Sequence, residues 1–160
     1  MAGAPTFEVL ARYRDRLAGM MPTQPQHDAI VPVFYSHPGD QWAGSALLWF
    51  DQVEEDFEIH SMRADKRRRL THPRFFIVAA VALEGPTDPA NAADLQLQAD
   101  RFAASLRDIV DEDIALEEHL GCPDLIDVAK VVRCTTERGM FATGAGTRIT
   151  ITIEFDARHL

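Results

Sequence analysis

The sequence contains few cysteines, no long apolar segment and no signal-peptide pattern. Its two cysteines, Cys122 and Cys134, form no CxxC pair and lack metal-ligand spacing, so neither a disulfide framework nor a zinc site is indicated. The longest uninterrupted apolar run, Phe75 to Leu83, has nine residues, which is too short to span a bilayer. Residues 1–20 lack a charged-then-apolar targeting pattern. These absences predict a soluble protein, with no membrane partner, made in a reducing cytoplasm.

Positive charge is also scarce. The chain has 16 Lys and Arg against 25 Asp and Glu, a formal net charge of −9 and a pI near 5.0. An acidic surface repels phosphates, which argues against non-specific DNA binding by the surface as a whole. A length of 160 residues with 46% hydrophobic residues is ordinary for a globular protein. We therefore expect one domain over residues 1–160.

Motifs that would carry catalysis are missing as well. The "GAGT" at 144–147 joins strand to strand, whereas a phosphate cradle needs a glycine turn that leads into a helix. The acidic stretch 111–119 lacks the central glycine of a calcium loop. Ser45 and Ser61 have no nucleophile-elbow context, and Cys134 is expected to be a small buried residue within a strand. We predict no catalytic residue, no cofactor and no metal, and hence a protein that is not an enzyme.

Hydrophobic periodicity predicts two helices and several strands. A helix is expected from Thr6, as its cap, to about Met21, with Phe7 and Met20 on its apolar face, and a second helix over 92–110. A short strand carrying Pro32 suits a sheet edge. Further strands are expected over 45–53, 74–85, 127–137 and 147–157. The segment "DFEIHSM" after 53 either continues its strand or returns from a bend at Glu54–Asp56.

The strand "RFFIVAAVALEG" is apolar on both faces, so it is expected at the centre of a sheet covered on both sides. Together the elements predict a single α+β domain, with a mixed or antiparallel sheet of about four to six strands packed against two main helices. Between the last two strands, Arg138–Gly146 is expected to be a long glycine-rich loop. It carries Met140 and Phe141, which a partner would bury.

A basic run interrupts the acidic chain immediately before the apolar strand. Its cations are Arg63, Lys66, Arg67, Arg68, Arg69 and Arg74. A nucleic-acid patch would need interleaved aromatic residues, which are missing here. A plain solvated loop is the second interpretation and a contact surface for protein the third. Just upstream, "DQVEEDFE" holds five acids and no base, among them Asp51, Glu54, Glu55 and Asp56. Such opposite blocks can pair within one hairpin or head to tail between copies.

The order of these features is similar to that of a known family. A helix leads into "VPVFYSHPGD" and "ALLWFDQVEEDFEI", then come the basic turn, the apolar strand, the helix "AADLQLQADRFAASLRDIVDED" and the terminal "GTRITITIEFDARHL". This layout, over nearly the whole chain, resembles the tail terminator (tail completion) proteins of long-tailed bacteriophages, in particular those that infect actinobacteria. No invariant catalytic motif contributes to the resemblance.

The resemblance implies a structural virion protein, made in the host cytoplasm and placed at the head-proximal end of the tail. It implies a small α+β subunit of a homo-oligomeric ring, a hexamer in the tail, that caps the tail tube and stops its polymerisation. Its partners would be the tail tube protein and the head-completion or connector protein, with genomic DNA passing through the lumen without specific binding. The basic run, the upstream acids and the Met140–Phe141 loop are then expected at interfaces. Another connector ring, such as a stopper, and a small enzyme are the alternatives.

Overall fold

The computed structural model describes residues 5–39, 42, 44–59, 68–141 and 144–158. These residues form two α-helices, one turn of 3-10 helix and one five-stranded sheet, so the predicted α+β class is confirmed. In chain order the elements are α1 (Thr6–Ala18), β1 (Val33–Phe34), β2 (Ala46–Ile59), β3 (Arg68–Leu83), α2 (Pro89–Ala115), the 3-10 turn (His119–Gly121), β4 (Ile126–Phe141) and β5 (Gly144–Ala157).

The strands lie in the order β1-β2-β3-β5-β4. The pair β1–β2 is parallel and the other three pairs are antiparallel. The short strand that follows Pro32 lies at one edge, as predicted, and β4 lies at the other. The apolar strand β3 is at the centre, between β2 and β5. Its placement confirms the prediction for Ile77–Val81, because a strand without a polar face needs neighbours on both sides.

Both helices pack on the same face of the sheet. Tyr13 of α1 contacts the rings of Phe50 and Phe75 at centroid distances of 6.3 and 6.2 Å. From α2, buried alanines and Leu106 lie against β3 and β5. The predicted contact between the second helix and the central strand is therefore present. The side chains on this face of β3 and β5 are almost fully buried: Phe75, Ile77, Ala79, Val81, Leu83, Ile149, Ile151, Ile153 and Phe155.

The opposite face of the sheet is only partly covered. Leu47, Trp49 and Val78 form a small buried cluster there, with Phe34 and Trp42 packed against it. Farther along this face, Thr150 and Thr152 of β5 lie opposite Val78 and Phe76 of β3, and Glu154 lies opposite Arg74. Phe76, Ala80 and Ala82 of β3 are only half-buried on this face, so the expectation of a strand covered on both faces was wrong for this one.

Both helix boundaries differ from the prediction. Pro5, not Thr6, is the N-cap of α1, Thr6 makes no capping hydrogen bond, and the helix ends three residues before Met21. Phe7 is 57% exposed and Met20 37% exposed, so the apolar face is narrower than expected. α2 is longer than predicted at both ends. It begins at Pro89, because proline at the first helical position loses no hydrogen bond.

Two uncertain stretches proved to be strands. The segment after Val53 continues β2 as far as Ile59, with register shifts near Asp51 and Glu55 in place of a sharp bend. The expected long loop Arg138–Gly146 was wrong, because β4 extends to Phe141 and β5 starts at Gly144, with Gly139 paired to Gly146. No helix in the described part of the chain is long and apolar enough to cross a membrane.

Candidate interaction surfaces

The acidic and basic blocks lie opposite each other in one hairpin. β5 pairs with β3 only from Arg74 onward, so Arg68–Thr71 pairs with Asp56–Ile59 of β2 alone. We call Glu54–Ile59 together with Arg68–Arg74 the ribbon. In its register, Glu58 is opposite Arg69 and Glu54 is opposite Arg74. The backbone thus has the geometry for pairing within the hairpin, one of the two alternatives that the charge pattern left open.

The described residues include only part of this predicted interface. Arg63, Lys66 and Arg67 lie outside them, and only the backbone of Arg68 and Arg69 is described. On the acidic strand, Asp51, Glu54 and Asp56 are exposed, as an interface would require. Glu55 is half-buried, and its Oε1 is buried without a hydrogen-bond partner among the described residues.

The base of the ribbon is fastened to β5 by a charged cluster. Arg74 Nε donates to Glu154 Oε2 at 2.8 Å, although Glu154 is only 7% exposed. His72 Nδ1 lies 3.0 Å from Asp156 Oδ1, and Lys130 Nζ lies 3.8 Å from Glu154 Oε1. Arg74 therefore has an intrachain role. Sequence reasoning missed Glu154 because it appeared as one polar member of an alternating strand.

Met140 and Phe141 lie at the end of β4, paired with Ala145 and Gly144, and their side chains are outside the described set. This end of the β4–β5 hairpin is held to α2. Arg138 donates to both oxygens of Asp100, with Nη2 to Oδ2 at 2.8 Å, and Thr147 Oγ1 donates to Asp100 Oδ1 at 2.6 Å. The hydrogen bonds from Arg138 lower the pKa of Asp100. Met140 and Phe141 thus lie at the end of a hairpin that is bonded to α2 through Asp100.

A shallow depression of about 140 Å³ lies on the partly covered face. The His37 ring meets the Trp49 ring edge-on at 4.8 Å, and the Arg148 guanidinium carbon lies 5.7 Å from the centre of that ring. Trp49 is buried, and its indole N–H has no hydrogen-bond partner among the described residues. The sequence showed Trp49 only as an apolar strand residue, so this aromatic and basic corner was not foreseen.

A larger groove of about 360 Å³ lies between the end of α2 and the start of the edge strand β4. Ile114, Ala115 and Leu120 line it from α2 and the following turn, and Asp127, Val128 and Ala129 line it from β4. We call it the α2–β4 groove. Val128 of this lining is 54% exposed, and two other large apolar side chains of the same elements are exposed as well, Leu116 directly after α2 at 67% and Val132 farther along β4 at 40%.

The backbone around this groove is unusual. Glu117, His119 and Leu120 have φ values of 57°, 54° and 56°, in the left-handed region that costs a residue with a side chain about 1–2 kcal/mol. Such strain is a starting point for a hypothesis about function. Its surroundings are acidic, since residues 107–118 contain six acids and one base. Burial raises the pKa of Asp111.

The candidate catalytic groups have structural surroundings. Ser45 Oγ lies 3.4 Å from Gln24 Oε1, which also accepts from the Ser45 backbone. Cys134 is exposed at the edge strand, so the expectation of a buried Cys134 was wrong. Burial still raises the pKa of both thiols, which disfavours the nucleophilic thiolate. No group of three or more metal-ligating side chains occurs among the described residues.

No protein-family model and no curated protein sequence matches the chain. A function must therefore be inferred from the chain's own sequence features and surfaces. Those surfaces are of the kind that contacts other macromolecules: a projecting ribbon with one acidic and one basic strand, an edge strand, and an acidic groove with exposed apolar side chains. Among the described residues, the groove and the outer edge of β4 are open to solvent.

Proposed function

We propose that this protein is a tail terminator of a long-tailed bacteriophage, a ring subunit that caps the tail tube and stops its polymerisation. The sequence resemblance implies a small α+β subunit, and a five-stranded sheet with two helices is such a subunit. In this proposal the partners are other copies of the chain, six in the assembled tail, the tail tube protein and the head-completion or connector protein. The protein resides at the head-proximal end of the virion tail.

The observation that carries the proposal is the ribbon. A two-stranded hairpin with no third strand and no covering helix is marginally stable by itself. Beyond Arg74 no third strand pairs with the backbone of the ribbon among the described residues, and His72 reaches Asp156 of β5 through its side chain alone. A neighbouring copy would cover it and recover that stability. A projecting, charged ribbon without a third strand suits an assembly subunit better than a monomeric enzyme.

Charge supports the same proposal. Each copy carries a formal charge of −9, so six copies carry six times −9, or −54. An acidic ring repels phosphates, which favours passage of DNA through a central hole without specific binding. The basic run is then assigned to protein neighbours, because a cationic lumen would retain the genome.

The test is removal of the gene from a phage that encodes it, followed by electron microscopy of the particles. A tail terminator stops tube growth, so we expect overlong tails, with normal length restored when the chain is supplied in trans. The labelled protein is expected at the head-proximal end of the restored tails. A stopper predicts normal tail lengths but unattached heads, and that result would replace the proposal with the alternative connector role.

An enzyme would behave differently. It would turn over a small molecule and bind it in a pocket with converging polar groups, and its loss would leave tail length unchanged. The protein would also be missing from purified particles, whereas a terminator co-purifies with tails at a fixed ratio. Normal tails without the chain, together with its absence from virions, contradict the proposed function.

A further inference from the structure

We propose that the α2–β4 groove is the docking surface for the basic segment, residues 60–69, of a second copy of this chain. The inference rests on the proposed function in one respect, namely that the partner is another copy. What the inference adds is the identity of the two surfaces that contact each other between copies.

The first argument is charge. Residues 60–69 contain five cations and one acid. Beside the groove, α2 and the turn after it contribute six acids and one base over 107–118, and β4 adds Asp127. Asp113 is buried and paired with Arg16 at 2.7 Å, so it is not available to a partner. Arg107 lies 3.1 Å from Asp108 and 3.9 Å from Asp111, and Arg158 lies 3.1 Å from Asp127, so further acids are partly compensated within the chain. The remaining excess of negative charge complements the basic segment.

The second argument is the position of the two surfaces. Arg74 is opposite Glu154, and the beginning of β4 pairs with the end of β5 through Ile126 and Ala157. The ribbon and the groove are therefore at the same end of the sheet. They are near opposite edges, since β2 is next to the two-residue edge strand β1 and the groove borders edge strand β4. Surfaces at the same end of the sheet and on opposite edges can meet head to tail, and repetition of such a contact closes a ring when the rotation between copies permits.

The third argument is the apolar surface at the groove. Leu116, Val128 and Val132 are exposed, and the outer edge of β4 has no pairing strand among the described residues. An incoming extended segment could cover these side chains and pair with the open edge, as in strand addition. The left-handed backbone at Glu117, His119 and Leu120 holds this edge of the groove in a costly shape, which a docking role would explain.

The chain supplies its own reporters for a crosslinking test. Cys134 is exposed on β4, opposite Ile151, whose side chain is on the face of the sheet that the helices cover, whereas Cys122 is buried. The only lysines are Lys66, in the basic segment, and Lys130, on β4 itself. A Lys130→Arg background therefore leaves one exposed thiol and one lysine.

The experiment mixes isotopically light and heavy full-length protein with a cysteine–lysine crosslinker. It uses a chain concentration of about 1 mM, high enough to populate a millimolar contact. We expect a Cys134–Lys66 crosslink that joins light to heavy chains. Lys66→Arg keeps the charge and should abolish the product. No crosslink between chains, or one confined to single chains, overturns the inference.

Charge reversal supplies the second arm. Glu117→Arg with Asp127→Arg should lower the crosslinked fraction about tenfold or more, because like charges would then face each other. The matched control is Glu84→Arg with Asp94→Arg, which makes the same charge change on exposed residues away from the groove, and it should have little effect. An equal loss of the crosslinked fraction in both variants would show that the contact depends on net charge and not on the groove, and it would overturn the inference.

Mixing of variants separates misfolding from lost recognition. The turn variant Arg67→Glu with Arg68→Glu should fail to associate with itself, as should the groove variant. A mixture of the two presents complementary surfaces at every junction and should recover the crosslink, which an unfolded variant could not do. Failure of the mixture while both variants fold overturns the inference. Tail length in the gene-removal test is a separate readout, so either proposal can fail without the other.

Discussion

The two long hairpins of this protein are supported in different ways. β4–β5 is joined across only residues 142 and 143, pairs from Ile126 to Phe141, and has Arg138 bound to Asp100 of α2. β2–β3 is joined across residues 60–67. It extends past Arg74, which is the last residue of β3 that pairs with β5, and both of its strands carry charged residues. One hairpin is fastened to the body of the protein. The other is fastened at its base and projects.

The difference separates residues that stabilise the chain from residues that are available for partners. Contacts to α2 and the sheet contribute to folding, because they are formed in the single chain. Charges on the projecting ribbon gain little from one another in water, where an exposed pair contributes about 0.2–1 kcal/mol. Substitutions in the β4–β5 hairpin should therefore reduce the stability of the folded chain, whereas substitutions toward the tip of the β2–β3 hairpin should chiefly affect assembly.

The largest effect is expected at Gly144, where the fastened hairpin meets the end of β3. A Cβ there would overlap the backbone carbonyl of Leu83, and φ is +145°. We expect Gly144→Ala to lower the free energy of unfolding by about 3–5 kcal/mol, measured by urea denaturation. Gly139→Ala is the matched control, since φ is +155° and nothing lies within 4 Å of its Cβ position. Equal losses would show that backbone strain, not the close approach, decides the cost.

A smaller loss is expected at the base of the ribbon. Arg74→Ala removes the cation that bonds to the nearly buried Glu154, and loss of such a charged hydrogen bond costs about 1.5–3 kcal/mol. Lys130 and His72 remain close to Glu154, so we expect the lower end of that range by thermal or urea unfolding. Arg74→Lys should recover part of the loss. An unchanged stability would mean that the base of the ribbon is not fastened.

The contact between α2 and the fastened hairpin should have a pH signature. Asp100→Asn is expected to cost about 1 kcal/mol near neutral pH, since Arg138 is largely exposed. The pKa of Asp100 is depressed by Arg138 in the folded chain. Its contribution is therefore fully present above the unfolded pKa of about 3.9 and is lost as the pH falls through the folded pKa.

The measurement is unfolding as a function of pH for the natural chain and the variant. We expect the gap between them to close as the pH falls below about 4. Asp94→Asn, on an exposed turn of the same helix, should give no comparable gap. A gap that is constant from neutral to acid pH would contradict the role of the Asp100 charge.

The smallest effect on folding, and the most informative for function, is expected at the basic run. Replacing Lys66, Arg67, Arg68 and Arg69 by Ser should change the free energy of unfolding by less than about 0.5 kcal/mol. It should impair tail completion, because the lost contacts recur at every interface of the ring. Binding to duplex DNA should change little. Salt-dependent DNA binding that the four substitutions abolish, with assembly intact, would assign these cations to the lumen.

Much of the fold could be predicted from local patterns. The two-sided apolar pattern of β3 predicted that this strand lies inside the sheet, since side chains point to opposite faces at every second residue and both of its faces are apolar. The boundaries were less well predicted. The glycines at 139 and 146 indicated a loop, yet they face each other across a continuous pair of strands. Long-range pairing outweighed the local preference of glycine for turns.

For the candidate surfaces too, some features follow from the sequence and others only from the tertiary structure. The sequence by itself determined that acids and bases stand in adjacent blocks and that the net charge is negative, because these are properties of composition and order. Only the tertiary structure decided that Arg74 meets Glu154, that Cys134 is exposed and that the end of α2 forms a groove with β4. Arg74 and Glu154 are far apart in the chain, and Cys134 is exposed because β4 lies at the edge of the sheet, so both depend on strand order and register. The groove depends on how the end of α2 packs beside β4, and all three arise only when the whole sheet packs on its helices.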